Sequence, residues 1–167
     1  MGMDLDYIAT DYAPCFVVQF CNTLKMVRSS SKPVLAKVEG GVIAGGVALL
    51  SIVDFIIADE AASFSLPESA FGLTPAIAIA CLLERIKPQH IKYLAWTSDA
   101  ISAKQALEWG LVDKVSSAAS LEQDVLLMRH RFSRTPASVI RESRQLLSKY
   151  SLSRMLSTWE VSCYRIN

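Results

Sequence analysis

Apolar positions along the chain change their spacing, and the change predicts two kinds of element. Between Cys15 and Ser31, apolar residues recur at intervals of one, three and four with polar residues between them, which is typical of an amphipathic helix. Short apolar runs after this helix instead predict buried strands. These strands are Pro33–Val38, Phe55–Ala58 and Ser63–Leu66, with a strand-like connector at Leu111–Val115.

Helical spacing dominates the rest of the chain. Ser102 is predicted to cap one of these helices and Gly110 to end it. Because strands alternate with helices first and only helices follow, we predict an α/β core over residues 1–115 and a helical region over 116–167. The apolar stripes of that region predict either self-association or packing within the chain. The predicted helices run from the glycine segment to about Val53 and over Pro75–Ile86, His90–Thr97, Ser102–Trp109, Leu121–Phe132, Pro136–Tyr150 and Ser153–Tyr164.

Composition narrows the class of protein. The chain has 167 residues, of which 51% are hydrophobic and 20% charged, and this predicts one folded domain with a proper core. A net charge of +1 without runs of like charge argues against nucleic-acid or membrane-surface partners. Acidic residues interrupt the most apolar region before it reaches the ~18 residues of a membrane span. The four cysteines have neither close pairing nor metal-ligand spacing, which predicts reduced thiols in a cytoplasmic protein.

The glycine segment Gly40–Ala48 is the first candidate for chemistry. It holds four glycines in seven positions and is followed by an apolar run, which predicts a tight loop that enters a buried helix. Backbone N–H groups at such a helix start favour negative charge, either a phosphate or a transient oxyanion. The glycine spacing matches neither a dinucleotide fingerprint nor a phosphate loop. We therefore favour an oxyanion.

Glu68 is the second candidate. It follows Pro67 at the end of an apolar strand, so its surroundings should be dry and its pKa raised, as a general base or acid requires. The alternative is that Glu68 only caps the following turn. Asp54 is predicted to be a buried structural acceptor of backbone N–H groups. His90 and His130 are predicted to be exposed, so no catalytic triad or metal cluster can be argued.

Several motifs in chain order resemble the crotonase (enoyl-CoA hydratase/isomerase) superfamily. The resemblance covers residues 1–115 and implies a ββα spiral that lacks its N-terminal part, so the sequence is expected to be a piece of a longer protein or a truncated form. It also implies a helical C-terminal region that assembles trimers or hexamers. The motifs are Lys32–Gly40, Ala44–Gly46, Asp54, Ser63–Glu68, Gly72–Pro75, Ile101–Ala106 and Gly110–Val112.

The resemblance also implies roles for individual residues. Glu68 corresponds to a catalytic glutamate, and the two oxyanion N–H donors correspond to Gly45 and Met1. Met1 begins a stretch that matches the family's small-Gly-small-Asp-Leu motif. Family members hold an acyl thioester by its pantetheine arm and use no metal or redox cofactor. The implied substrate-binding residues are Met3, Asp4, Leu5, Gly41, Ala44, Ala48 and Pro67.

The expected reaction follows from one position at which this sequence differs from the hydratases of the family. Hydratases of the family use two glutamates, and the position of the first is Ala48 here, so two-carboxylate hydration is not expected. The amino-acid sequences of the motifs are most similar to those of the group of enzymes that installs β-branches in polyketide synthesis. This implies dehydration of a 3-hydroxy-3-methylglutaryl thioester on an acyl carrier protein. The alternatives are decarboxylation of the 3-methylglutaconyl product, enoyl-CoA isomerisation, or a non-catalytic module that binds acyl carrier protein or CoA thioesters.

Overall fold

The structure is a computed structural model and describes residues 13–147. The predicted start of the chain and the predicted helix Ser153–Tyr164 lie outside the described residues. The helices are α1 (Ala13–Arg28), α2 (Gly45–Ser51), α3 (Ala76–Leu82), α4 (Pro88–Thr97), α5 (Ala103–Trp109) and α6 (Leu121–Ser133), and helical structure resumes over 137–147. The strands are β1 (Leu35–Val38), β2 (Gly41–Ile43), β3 (Phe55–Asp59), β4 (Ser63–Ser65), β5 (Ile101–Ser102) and β6 (Lys114–Ser116), and a 3-10 helix covers Pro67–Phe71.

The strands form two small sheets, and β1 to β4 alternate between them. One sheet has the order β1-β3-β6, with all strands parallel. The other has the order β2-β4-β5, in which β2 and β4 are parallel and β5 is antiparallel to β4. Parallel neighbours need a crossover, and α2 supplies it between the pairs β1-β2 and β3-β4. The predicted α/β class is confirmed.

Two strands were not predicted, and two others begin later than predicted, β1 at Leu35 instead of Pro33 and β6 at Lys114 instead of Leu111. β2 lies inside the segment predicted as a loop. It was missed because its glycine has low strand propensity, for which the pairing with β4 compensates. β5 has only two residues. β6 starts at Lys114 because the preceding Leu111 and Val112 donate their N–H groups to the Ala106 carbonyl, at 2.8 and 3.2 Å, and so close α5.

One continuous core joins both sheets to α2, α3, α4 and α5, and α2 packs directly against α3. Side chains without exposed surface include Val47, Ile56, Phe64, Leu66, Leu82 and Leu94.

Among the described residues, no helix is both long and apolar enough to cross a membrane.

The predicted ends of α5 are confirmed, whereas the prediction for His90 is wrong. The Ser102 hydroxyl accepts a hydrogen bond from the Gln105 N–H at 3.2 Å, and Gly110 ends the helix in a left-handed conformation with φ of 84°. His90 is half-buried, and its ring stacks on Trp109 with 4.4 Å between ring centroids. Stacking with a residue 19 positions away leaves no signal in local spacing.

Asp54 accepts a backbone N–H as predicted, but it is not buried. Its Oδ2 accepts from the Val34 N–H at 2.6 Å, and its Oδ1 pairs with Arg144 Nε at 3.1 Å, with 30% of its side chain exposed. Arg144 also donates to the Ser30 and Lys32 carbonyls. The Asp54–Arg144 pair therefore ties the helix over 137–147 to the entrance of β1.

Arg85 links the turn after α3 to two other parts of the core. Its Nε donates to the Leu111 carbonyl and its Nη1 to the Val53 carbonyl, both at 2.8 Å. Its Nη2 pairs with Asp113, which also accepts the Ile56 N–H at 2.7 Å. Only 12% of the Arg85 side chain is exposed, so these acceptors depend on the guanidinium.

We expect Arg85→Ala to lower the free energy of unfolding by about 2–3 kcal/mol, because it removes charged hydrogen bonds from partly buried acceptors. Urea unfolding measures the change. The control is Arg85→Lys, which keeps the charge but lacks the planar fork, so most of the loss should persist. A lysine variant as stable as the wild type would show that charge alone matters here.

Candidate active site

The chain passes from β2 into α2 through one strained residue. Ala44 has φ of 52° and ψ of −118°, a backbone conformation that favours glycine. Its N–H donates to the Ser65 carbonyl at 3.0 Å, and its carbonyl accepts from the Val47 N–H at 2.9 Å. Strain of this kind persists only where surrounding contacts hold it. Here those contacts fix the direction in which α2 begins.

Gly45 is the first residue of α2, so its N–H has no partner within the helix. A Cβ atom at this position would lie 3.2 Å from Cζ of Phe20. The Phe20 ring, on α1, therefore packs directly on the Cα of Gly45. This close approach explains why a residue without a side chain begins α2.

Glu68 lies in the 3-10 helix that follows β4. Pro67 begins this helix, and Gly72 ends it in a left-handed conformation with φ of 71°. The Glu68 carbonyl accepts from the Leu73 N–H at 3.0 Å. The backbone of Glu68 is thus fixed within a closed turn rather than on an open loop.

The carboxyl group of Glu68 is partly withdrawn from water. Among the described residues, its Oε2 is the one buried side-chain polar atom without a hydrogen-bond partner. Burial raises the pKa of Glu68 above its usual range, and a backbone hydrogen bond opposes this effect. The predicted rise in pKa is confirmed. A carboxyl group with a raised pKa is better suited to exchange a proton with a bound molecule than a fully solvated one.

The parallel pair β2-β4 brings Gly45 and Glu68 to one end of the same sheet. Ile43, the last residue of β2, lies opposite Ser65, the last residue of β4. Neighbouring strands are ~4.8 Å apart. Gly45 comes two residues after Ile43 and Glu68 three residues after Ser65, so both follow the carboxyl ends of adjacent parallel strands. Ligands of α/β proteins bind at such ends.

The remaining predicted site residues lie at different depths. Ala48 is fully buried within α2, and Pro67 is half-buried. Gly41 is exposed on β2 and lines an open groove of about 320 Å³, whose lining residues include Gly46 and Leu49 but neither Gly45 nor Glu68. Met1, Met3, Asp4 and Leu5 lie outside the described residues, and their roles stay predictions.

Two residues near this site were not singled out by sequence reasoning. Phe20 was assigned only to a helical stripe, and nothing in its spacing indicates contact with Gly45. Ser69 follows Glu68, and its hydroxyl donates to the carbonyl of Ala95 in α4. Both contacts join residues that lie 25 or 26 positions apart, and no local pattern predicts them.

Comparison with known proteins decides the family. The family described as enoyl-CoA hydratase/isomerase matches residues 1–158 of the chain. The chain belongs to this family. The resemblance seen in the sequence motifs is confirmed, and with it the crotonase-like fold.

Two dehydratases and a solved enoyl-CoA hydratase are among the proteins similar to this chain. The bacillaene synthase dehydratase PksH of Bacillus subtilis is 39% identical over 128 residues, which cover 74% of this chain and 48% of that protein. The carnitinyl-CoA dehydratase of Salmonella paratyphi A is 37% identical over 91 residues, which cover 54% and 35%. A solved polyketide biosynthesis enoyl-CoA hydratase from Bacillus subtilis is 32% identical with a TM-score of 0.73, over 90% of this chain and 58% of that one. The chain spans less than half the length of the two curated relatives.

Proposed function

We propose that this chain is the part of a crotonase-family dehydratase that carries the proton-transfer residue, Glu68. The observation that carries the proposal is the buried Glu68 Oε2, which has no hydrogen-bond partner among the described residues and lies in a turn that follows the same sheet end as the start of α2. A buried polar atom without a partner is rare in folded proteins, and a functional site is one explanation for it. A bound acyl chain would supply the missing partner.

In this proposal the oxygen of a thioester carbonyl accepts hydrogen bonds from the Gly45 N–H and from a second donor at Met1. These donors stabilise the enolate that forms when Glu68 takes a proton from the carbon next to the carbonyl. The hydroxyl group on the next carbon then leaves, and Glu68 returns the proton to it, so the products are an unsaturated thioester and water. Met3, Asp4, Leu5, Gly41, Ala44 and Pro67 are proposed to contact the substrate, whereas Ala48 has no exposed surface with which to do so.

We propose a 3-hydroxy-3-methylglutaryl chain on acyl carrier protein as the substrate. The support is the likeness to a dehydratase of bacillaene synthase, together with the alanine at position 48 in place of a second carboxylate. Since alanine has no ionisable group, Glu68 is the carboxylate that the described part of the site offers for chemistry. A trimer or hexamer, a cytoplasmic location and the boundary at residue 115 stay predictions.

Intact-mass measurement tests the reaction. The chain is incubated with carrier protein loaded with the 3-hydroxy-3-methylglutaryl thioester, and we expect the loaded carrier to lose the mass of one water. Loss of carbon dioxide from a 3-methylglutaconyl carrier would instead identify a decarboxylase. Migration of a double bond in an enoyl-CoA would identify an isomerase. Binding of pantetheine thioesters with no turnover would contradict the proposal and favour a non-catalytic module.

A further inference from the structure

Ser69 ties the turn that carries Glu68 to a separate helix. Its hydroxyl donates to the carbonyl of Ala95, 26 positions along the chain, near the end of α4. The last four carbonyls of a helix have no N–H partner within it. Ala95 is buried, so its carbonyl needs a partner from elsewhere in the protein. The Ser69 hydroxyl supplies that partner.

The other hydrogen bonds of this turn are local. The Leu73 N–H donates to the Glu68 carbonyl and the Gly72 N–H to the Ser69 carbonyl, both at 3.0 Å. These bonds shape the turn but do not fix it against the rest of the molecule. The Ser69–Ala95 hydrogen bond does so, where the 3-10 helix packs against α4.

We propose that Ser69 is a positioning residue for Glu68 and holds the glutamate carboxyl group in its buried setting by anchoring the turn to α4. This inference rests on the role proposed above for Glu68. Ser69 itself does not touch the reacting atoms. It acts through the backbone of the residue before it, and a small displacement of a reacting group can be costly in rate.

The test is a titration of the Glu68 carboxyl carbon by NMR in protein labelled with 13C-glutamate, assigned by its loss in Glu68→Gln. In Ser69→Ala we expect the Glu68 pKa to move down toward its ordinary value, because the released turn admits water. We also expect kcat to fall about 10-fold with little change in KM. Ser69→Thr keeps the hydroxyl and should restore both values.

Ser102→Ala is the matched control. It removes the hydroxyl that caps α5 and should leave the Glu68 titration unchanged. An unchanged Glu68 pKa in Ser69→Ala, or an equal shift in Ser102→Ala, would overturn the inference. If Ser69→Ala does not fold, Ser69→Cys replaces it, since its weak donor should give a smaller shift in the same direction. The titration needs no turnover, so failure of the proposed function would appear separately, as an inactive wild type with the shift intact.

Discussion

Glu68→Gln is expected to reduce dehydration of the carrier-bound thioester by about 10²–10⁴-fold, the usual contribution of a general acid or base. Glutamine keeps the shape of the side chain but cannot take or return a proton. Binding of the thioester should therefore change little, and the loss should appear in kcat rather than in KM. Stopped assays by intact mass and a separate binding measurement check the two quantities.

Glu68→Gln should also change how the free energy of unfolding depends on pH. Because burial raises the Glu68 pKa, the folded state holds this proton more tightly than the unfolded state. The wild type should thus lose stability as pH rises from the ordinary value of 4.5 through the folded-state pKa. Glu68→Gln lacks this loss, so it should be more stable than the wild type above that window and equal to it below.

Glu60→Gln is the control for both measurements, since Glu60 is exposed in the turn between β3 and β4. It should change neither turnover nor the pH dependence of stability. Full activity in Glu68→Gln would remove the proton-transfer role. Parallel stability curves for Glu68→Gln and the wild type would show that the Glu68 carboxyl group is not buried in solution.

How much of this site the sequence could predict depends on whether the contacts are local. Glu68 was predictable because Pro67 and the apolar strand before it place a carboxylate at the buried end of a strand. A helix that begins in the glycine segment was predictable from the glycine spacing and the apolar run after it, whereas Gly45 itself was implied by the family resemblance. Strand β2 was not, because its backbone pairing with β4 is decided by a partner 22 positions away.

The contacts that position Gly45 and Glu68 could not be predicted from the sequence either. The ring of Phe20 packs against Gly45, and the hydroxyl of Ser69 donates a hydrogen bond to the Ala95 carbonyl. A serine next to the candidate glutamate and a phenylalanine in a helical stripe are ordinary residues at ordinary spacing. Only the contact of α1 with the start of α2 and the contact of α4 with the 3-10 helix bring them to the candidate residues.

The contact between Phe20 and Gly45 leads to the other large expected effect. In Gly45→Ala the new Cβ would lie 3.2 Å from Phe20 Cζ, so either the ring or the start of α2 must shift by a few tenths of an ångström. Complete loss of an oxyanion donor costs about 10²–10³ in kcat, and a displaced donor should cost less, about 10-fold or more. A parallel urea unfolding measurement separates this loss of turnover from a change in stability.

A double variant separates displacement of the donor from other causes. Phe20→Leu removes the ring and makes room for the Cβ, so Gly45→Ala combined with Phe20→Leu should be less impaired than the two single variants together predict. Gly40→Ala is the matched control, since a Cβ there meets no atom within 4 Å and turnover should not change. Strictly additive losses in the double variant would mean that the Phe20 ring does not set the position of the Gly45 N–H. Full turnover in Gly45→Ala would mean that this N–H is not an oxyanion donor, and the start of α2 would then serve only to pack the core.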